Sequence, residues 1–236
     1  MNVADEIKLA LADLAIPEKA AFFPRFFKSG KGEYAEGDQF IGVTVPDQRK
    51  IVKEYWKQIP LEELSELLRS EIHEHRHSAL LILVTKFEKA SESKDEIIKF
   101  YLAHKAYINN WDLVDNSCYK ILGRHCFEAN DNSVLETLSN EENLWSKRMA
   151  IVSTMYHVKR GEFEVMKKLV LKNLNHPHHL MHKANGWLLR EMGNISEEEL
   201  QQFLKAHYRD MPRTTLRYAI EKLDEDTRQD FLKGKI

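Results

Sequence analysis

Leu61-Glu62-Glu63-Leu64-Ser65-Glu66-Leu67-Leu68 reads as the first helix of a pair whose second member starts near His75. The pair then recurs down the chain. Second helices start near Asn110, Ser146, Met181 and Pro212, at steps of 35, 36, 35 and 31 residues. Each follows an amphipathic partner of its own: Asp95 to His104, Ser133 to Leu138, Phe163 to Leu174, and Glu197 to Tyr208. Two helices per roughly 35–40 residues is the signature of an α-solenoid. No series of alternating strands competes with it. The expected fold is therefore all-α, with second helices lining the concave side.

Upstream of the repeats, residues 2–15 carry Val3, Ile7, Ala10, Leu11 and Leu14 at helical spacing. Pro17 opens a further helix, where a missing N–H is no loss. Ala20, Ala21, Phe22, Phe23, Phe26 and Phe27 give it a thick aromatic face. Ser29 to Asp38 holds three glycines and several charges and reads as a loop. It lacks the Gly-x4-Gly-Lys-Ser/Thr order of a phosphate-binding loop. After Val45-Pro46-Asp47, residues Gln48 to Ile59 read as a helix.

The 236 residues are 43% hydrophobic and 31% charged, enough for one sizeable core or one elongated array. No apolar run is long enough for a membrane span, and Met1 to Glu6 lacks the order of a signal peptide. Cys118 and Cys126 match no zinc spacing and are expected as free core thiols in a reducing cytoplasm. The net charge of −2 does not advertise nucleic acid. The division is more telling: residues 1–144 sum to −7 and residues 145–236 to +5. A basic second half presents a local positive surface, unless the charges only solvate helix faces.

Within the repeats, Asn109-Asn110-Trp111-Asp112-Leu113-Val114-Asp115-Asn116-Ser117-Cys118 reads as a helix start. Four residues apart, Trp111 and Asp115 share one face, while Leu113, Val114, Cys118, Ile121 and Leu122 form an apolar stripe. An indole beside a carboxylate suits a positively charged substrate. A plainer reading puts Trp111 in the core and Asp112 or Asp115 in the first turn, where the helix dipole favours anions.

The second helices share an oddity. Arg76, Lys147 with Arg148, Lys183, and Arg213 with Arg217 lie in or near first turns. Cations there oppose the helix dipole by about 0.3–1 kcal/mol each. Anions are welcome at such ends, so a row of them suits a row of phosphates. The alternative is pairing with Asp or Glu of a neighbouring repeat. Neither His176 to His182 nor His73 to His77 has a third metal ligand fixed by spacing.

At this point the chain resembles the AlkD-type DNA alkylation-repair glycosylases, built from HEAT-like helical repeats. Four segments carry the resemblance: Trp111-Asp112-Leu113-Val114-Asp115, Leu144 to Ile151, Lys183 to Glu191, and Arg213 to Ile220. Phe40 to Arg49 also looks like the family's N-terminal signature. The resemblance implies a single elongated, C-shaped domain over 1–236, with N-terminal helices and the Gly-rich loop in 1–59 and repeats in 60–236. It assigns catalysis to Asp115, Trp111 and Trp187, and a grip on the DNA backbone to Arg148. Lys147, Lys183, Arg190, Arg213 and Arg217 are the further DNA contacts expected.

The implied reaction is hydrolysis of the N-glycosidic bond of cationic alkylpurines such as 7-methylguanine and 3-methyladenine. It implies no tight base pocket, no cofactor and no metal. The partner expected is double-stranded DNA containing alkylated bases, acted on by a cytoplasmic monomer with no membrane contact. Two rivals remain open: a non-catalytic scaffold that binds DNA structures or a protein, and a metal hydrolase built on His176 to His182.

Overall fold

The computed structural model describes residues 2–89 and 93–236. The described residues are all-α, apart from connecting turns and an isolated parallel bridge between Gln39 and Ile72. The chain divides into two compact units, Met1–Ser117 and Cys118–Ile236.

The first unit contains α1 (Val3–Ala12), α2 (Pro17–Phe27), α3 (Val45–Tyr55), α4 (Leu61–Leu68), α5 (His73–Lys89), α6 (Lys94–Ala103) and most of α7 (Trp111–Cys118). Helix starts follow local chemistry. Asn2 caps α1 by accepting the Asp5 N–H, and Glu63 on α4 accepts the N–H groups of Val3 and Ala4 at 2.7 and 3.2 Å. That carboxylate meets the positive end of α1 and ties it to α4. Pro17 occupies the first position of α2, and Thr44 caps α3. Ile7, Leu11, Leu64, Leu67, Leu68, Leu80 and Leu83 are fully buried between these helices.

The segment joining α2 to α3 is fixed by one close approach. Gly42 adopts φ +85°, and a Cβ there would lie 2.2 Å from the Ile16 carbonyl oxygen. The neighbouring Ile41 carbonyl accepts the Ile16 N–H at 3.1 Å. Glu74, in the first turn of α5, accepts the Gly42 N–H at 2.8 Å.

The second unit contains α8 (Arg124–Ala129), α9 (Ser133–Asn140), α10 (Leu144–Ser153), α11 (Met155–Val158), α12 (Glu164–Lys172), α13 (His179–Ile195), α14 (Glu197–His207), α15 (Arg213–Ala219) and α16 (Glu225–Lys233). A π-helical turn, Tyr119–Gly123, precedes α8. It brings Gly123 so close to α10 that a Cβ would lie 2.1 Å from the Ser153 carbonyl oxygen. α13 packs against α15 with similar intimacy, since a Cβ on Gly186 would meet the Thr215 carbonyl oxygen at 2.6 Å. Cys118 and Cys126 are free and buried, as expected of core thiols; burial, with Asp131 adding to it, pushes the Cys126 thiol up to about 12.

The first helices of the sequence pairs fall where the pattern puts them, Leu61–Leu68 to the residue. Second helices begin at His73, Trp111, Leu144, His179 and Arg213, within two residues of expectation. α3 begins at Val45 rather than Gln48, because Thr44 supplies the cap by accepting the Asp47 N–H.

Candidate functional site

Trp111 opens α7, and its N–H donates to Asn110 Oδ1 at 2.8 Å. The ring is half-buried and stacks on Phe27, with centroids 5.6 Å apart and planes 23° off parallel. Phe26 meets it edge-on at 5.9 Å. Phe27 is the hub: Phe40 stacks on it at 5.3 Å and His73 tilts over it at 4.7 Å. Aromatic pairs in such geometries add about 0.5–1.5 kcal/mol beyond their burial. Asp115, one turn on from Trp111, is also half-buried. The two residues thus share a helix face that is neither core nor open surface.

A second i, i+4 pair on α7 faces inward. His73 Nε2 lies 2.7 Å from Asp112 Oδ2, and Asn116 Nδ2 lies 3.3 Å from His77 Nε2. His73 and His77 are one turn apart on α5, as Asp112 and Asn116 are on α7. The other nitrogen of His73 faces Asp38 at 3.2 Å, and Arg76 Nη2 lies 2.7 Å from the same carboxylate. His77 Nδ1 donates to Gln48 Oε1 at 2.6 Å, and Gln48 donates to the Val43 carbonyl at 2.9 Å.

Burial opposes charge on His73, but Asp112 and Asp38 outweigh it and hold the ring up at about 9. Burial also works against the Asp112 carboxylate, yet the neighbouring His73 pulls its pKa below the usual range. At His77 burial outweighs the nearby Asp112 charge and drives the ring down to about 4.

Beside these rings lies a cavity of about 50 Å³, lined in part by Phe23, Phe27, Gln48, His73, His77 and Asp112. Small-molecule pockets run to roughly 300 Å³ or more, so this cavity is no receptacle for a purine.

In the second unit the expected contacts divide by environment. Lys147, Lys183 and Trp187 are half-buried, and Arg213 and Arg217 are exposed. Trp187 follows Gly186, where α13 crosses α15 closely. Arg148 is 5% exposed and donates to the Leu180 carbonyl at 2.6 Å. Arg190 pairs with Glu221 in the turn that follows α15.

Pairing with a neighbouring acid thus holds for Arg190 and for Arg76, which is buried against Asp38. The histidines near α13 serve its first turn. His176 Nδ1 accepts the His178 N–H, His178 Nδ1 accepts the Leu180 N–H, and His182 Nε2 donates to the His176 carbonyl. Among the described residues no group of three or more His, Cys, Asp or Glu is arranged to hold a metal ion.

Sequence reasoning brought out Trp111 and Asp115 but did not connect them with Phe26 and Phe27, which touch the indole, or with the Asp38–His73–Asp112 cluster. The available signal was the acid at Asp112 together with the dense run His73-Glu74-His75-Arg76-His77, whose polar residues sit on every face of a helix start.

The described residues thus form an all-α protein with a half-buried indole and carboxylate on one helix and basic side chains on others. The family model of DNA alkylation repair enzymes matches residues 7–223, and the chain belongs to that family. No curated protein matches the chain. Among solved structures, it is similar to a predicted DNA alkylation repair enzyme from Enterococcus faecalis, with a TM-score of 0.70 and 20% identity over 89% of this chain and 97% of that one. At that identity the likeness establishes the fold. No helix among the described residues is long and apolar enough to cross a membrane.

Proposed function

We propose that this member of the DNA alkylation repair family is a monofunctional, metal-independent DNA glycosylase. Its substrates are cationic alkylpurines, 7-methylguanine and 3-methyladenine, in double-stranded DNA. The observation that carries the reading is the pairing of Trp111 and Asp115 on one half-buried face of α7.

A cationic alkylpurine is already a good leaving group, so the enzyme need not protonate the base. Bond cleavage leaves positive charge on the sugar. Asp115 stabilises that oxocarbenium-like centre and accepts a hydrogen bond from the attacking water. The π face of Trp111 attracts the same charge, an interaction of about 0.5–2 kcal/mol; Trp187 is assigned the same chemistry. Lys147, Lys183, Arg213 and Arg217 supply phosphate contacts, which set register and affinity without reading sequence. Arg148 and Arg190 are assigned to the same row, Arg148 as its innermost member. The chemistry needs no base pocket, so bulky adducts fit the same mechanism. A monomer working in the cytoplasm, on the nucleoid, is sufficient for it.

The test is base release from duplex DNA containing 7-methylguanine, with chelator present, comparing wild type with Asp115→Asn. Release by the wild type alone supports the assignment. Binding without release by either protein would leave a non-catalytic DNA-binding scaffold.

A further inference from the structure

The polar core behind Trp111 and Asp115 is more elaborate than packing requires. Both nitrogens of the His73 ring face carboxylate oxygens, Asp38 at 3.2 Å and Asp112 at 2.7 Å. Ionised carboxylates only accept hydrogen bonds, so both ring nitrogens must donate, and only the imidazolium does that. All three side chains are at most 10% exposed. A buried charge is tolerated when it is paired and hydrogen-bonded. Here Asp38, Asp112, His73 and Arg76 balance.

Asp112 sits next to Trp111 on α7, about 100° around the helix. Whatever fixes the direction of Asp112 therefore fixes the direction of the Trp111–Asp115 face. One turn further, Asn116 meets His77 and also donates to the Asp112 carbonyl at 2.9 Å. Two attachments a turn apart stop α7 from rolling against α5. His73 also lies across Phe27, the ring on which Trp111 stacks.

We propose that His73 is a positioning residue for the base-release reaction: held between Asp38 and Asp112, it sets the rotation of α7 and so the direction in which Trp111 and Asp115 meet substrate. The inference rests on the glycosylase reading for its activity arm only. It also gives the Gly-rich segment a structural task, since the last residue of that segment, Asp38, anchors the clamp.

The charged and titratable groups around His73 are Asp38 from the α2–α3 segment, Asp112 from α7, and Glu74, Arg76 and His77 from α5. Arg49 from α3 acts on His77. α2 contributes only phenylalanines. Of these groups, Glu74 is occupied with the Ile41 and Gly42 N–H groups. The clamp should open when His73 loses its proton, near pH 9.

The experiment labels the full chain with 5-fluorotryptophan and assigns the Trp111 signal with Trp111→Phe. Between pH 7 and pH 10 the Trp111 fluorine signal should move as His73 deprotonates, while the Trp187 signal stays. His73→Gln should show the moved signal already at pH 7. Its single-turnover release of 7-methylguanine should fall at least tenfold with DNA affinity within twofold of wild type. Should that variant not fold, His73→Gln with Asp112→Asn removes the cation together with its partner's charge and carries the same expectations. A Trp111 signal that stays still over this pH range overturns the proposal, as does a folded variant releasing base at the wild-type rate. A wild type that releases no base refutes the glycosylase reading instead, and the Trp111 signal then still decides the role of His73.

Discussion

The Trp111 indole rests on the Phe27 ring, 5.6 Å between centroids, and Phe27 is in turn sandwiched against Phe40. Phe27 is buried, whereas Phe26, which touches the same indole, is 49% exposed. The two should therefore separate stability from function. Phe27→Ala should cost about 3–5 kcal/mol in denaturant unfolding, the usual loss for a core aromatic. Phe26→Ala should cost under about 1 kcal/mol, because little burial is lost, yet slow base release by changing the surroundings of Trp111. Equal losses of stability in the two variants would contradict the stack as the support of the indole.

Stability should peak near pH 6.5 to 7. His73 has a folded pKa of about 9 against an ordinary 6.5. Its contribution is fully present below pH 6.5 and is lost as pH rises through 9, on the order of 3 kcal/mol. His75 and His77 run the other way. Burial lowers both to about 4, so their contribution is present above pH 6.5 and is lost as pH falls toward 4. Thermal melts from pH 4 to pH 10 should give a dome, and a flat profile between pH 7 and pH 9.5 would count against the buried imidazolium.

Gly42→Ala should unfold the protein or cost more than about 3 kcal/mol. The residue sits at positive φ, which disfavours any Cβ, and the added atom would run into the Ile16 carbonyl. Gly161→Ala is the control: it shares the positive φ but meets no atom within 4 Å. It should cost about 1 kcal/mol. Chemical denaturation of both variants separates backbone strain from collision.

How far this molecule was legible in its sequence follows from what kind of interaction holds each part. Helix pairs such as Leu61–Leu68 with His73–Lys89 are written in apolar spacing, which is local. Trp111 and Asp115 were visible because four residues make one turn. The clamp was not, because Asp38, His73 and Asp112 are distant in sequence and nothing in spacing says that His73 faces two acids at once. Buried polar partnerships of this kind have no period. The basic residues show the same limit. Lys183 and Arg217 read alike with Arg76, and the resemblance put Arg190 beside them; only packing reveals that Arg76 pairs with Asp38 and Arg190 with Glu221.

That division yields a last expectation, for DNA binding. Each phosphate contact releases counterions, so its loss should lower the slope of log affinity against log salt by about 0.9. Arg217→Ala and Lys183→Ala should each do so, weakening binding alike for different DNA sequences and leaving the melting temperature unchanged. Arg148→Ala should also lower the slope, but with a stability loss, since it abandons the Leu180 carbonyl from a buried position. Arg190→Ala should change the slope least, because Glu221 already engages its guanidinium in the free protein. Titrations of labelled duplex at several salt concentrations give all four slopes. A slope change for Arg190 as large as that for Arg217 would show that the pair with Glu221 opens when DNA binds.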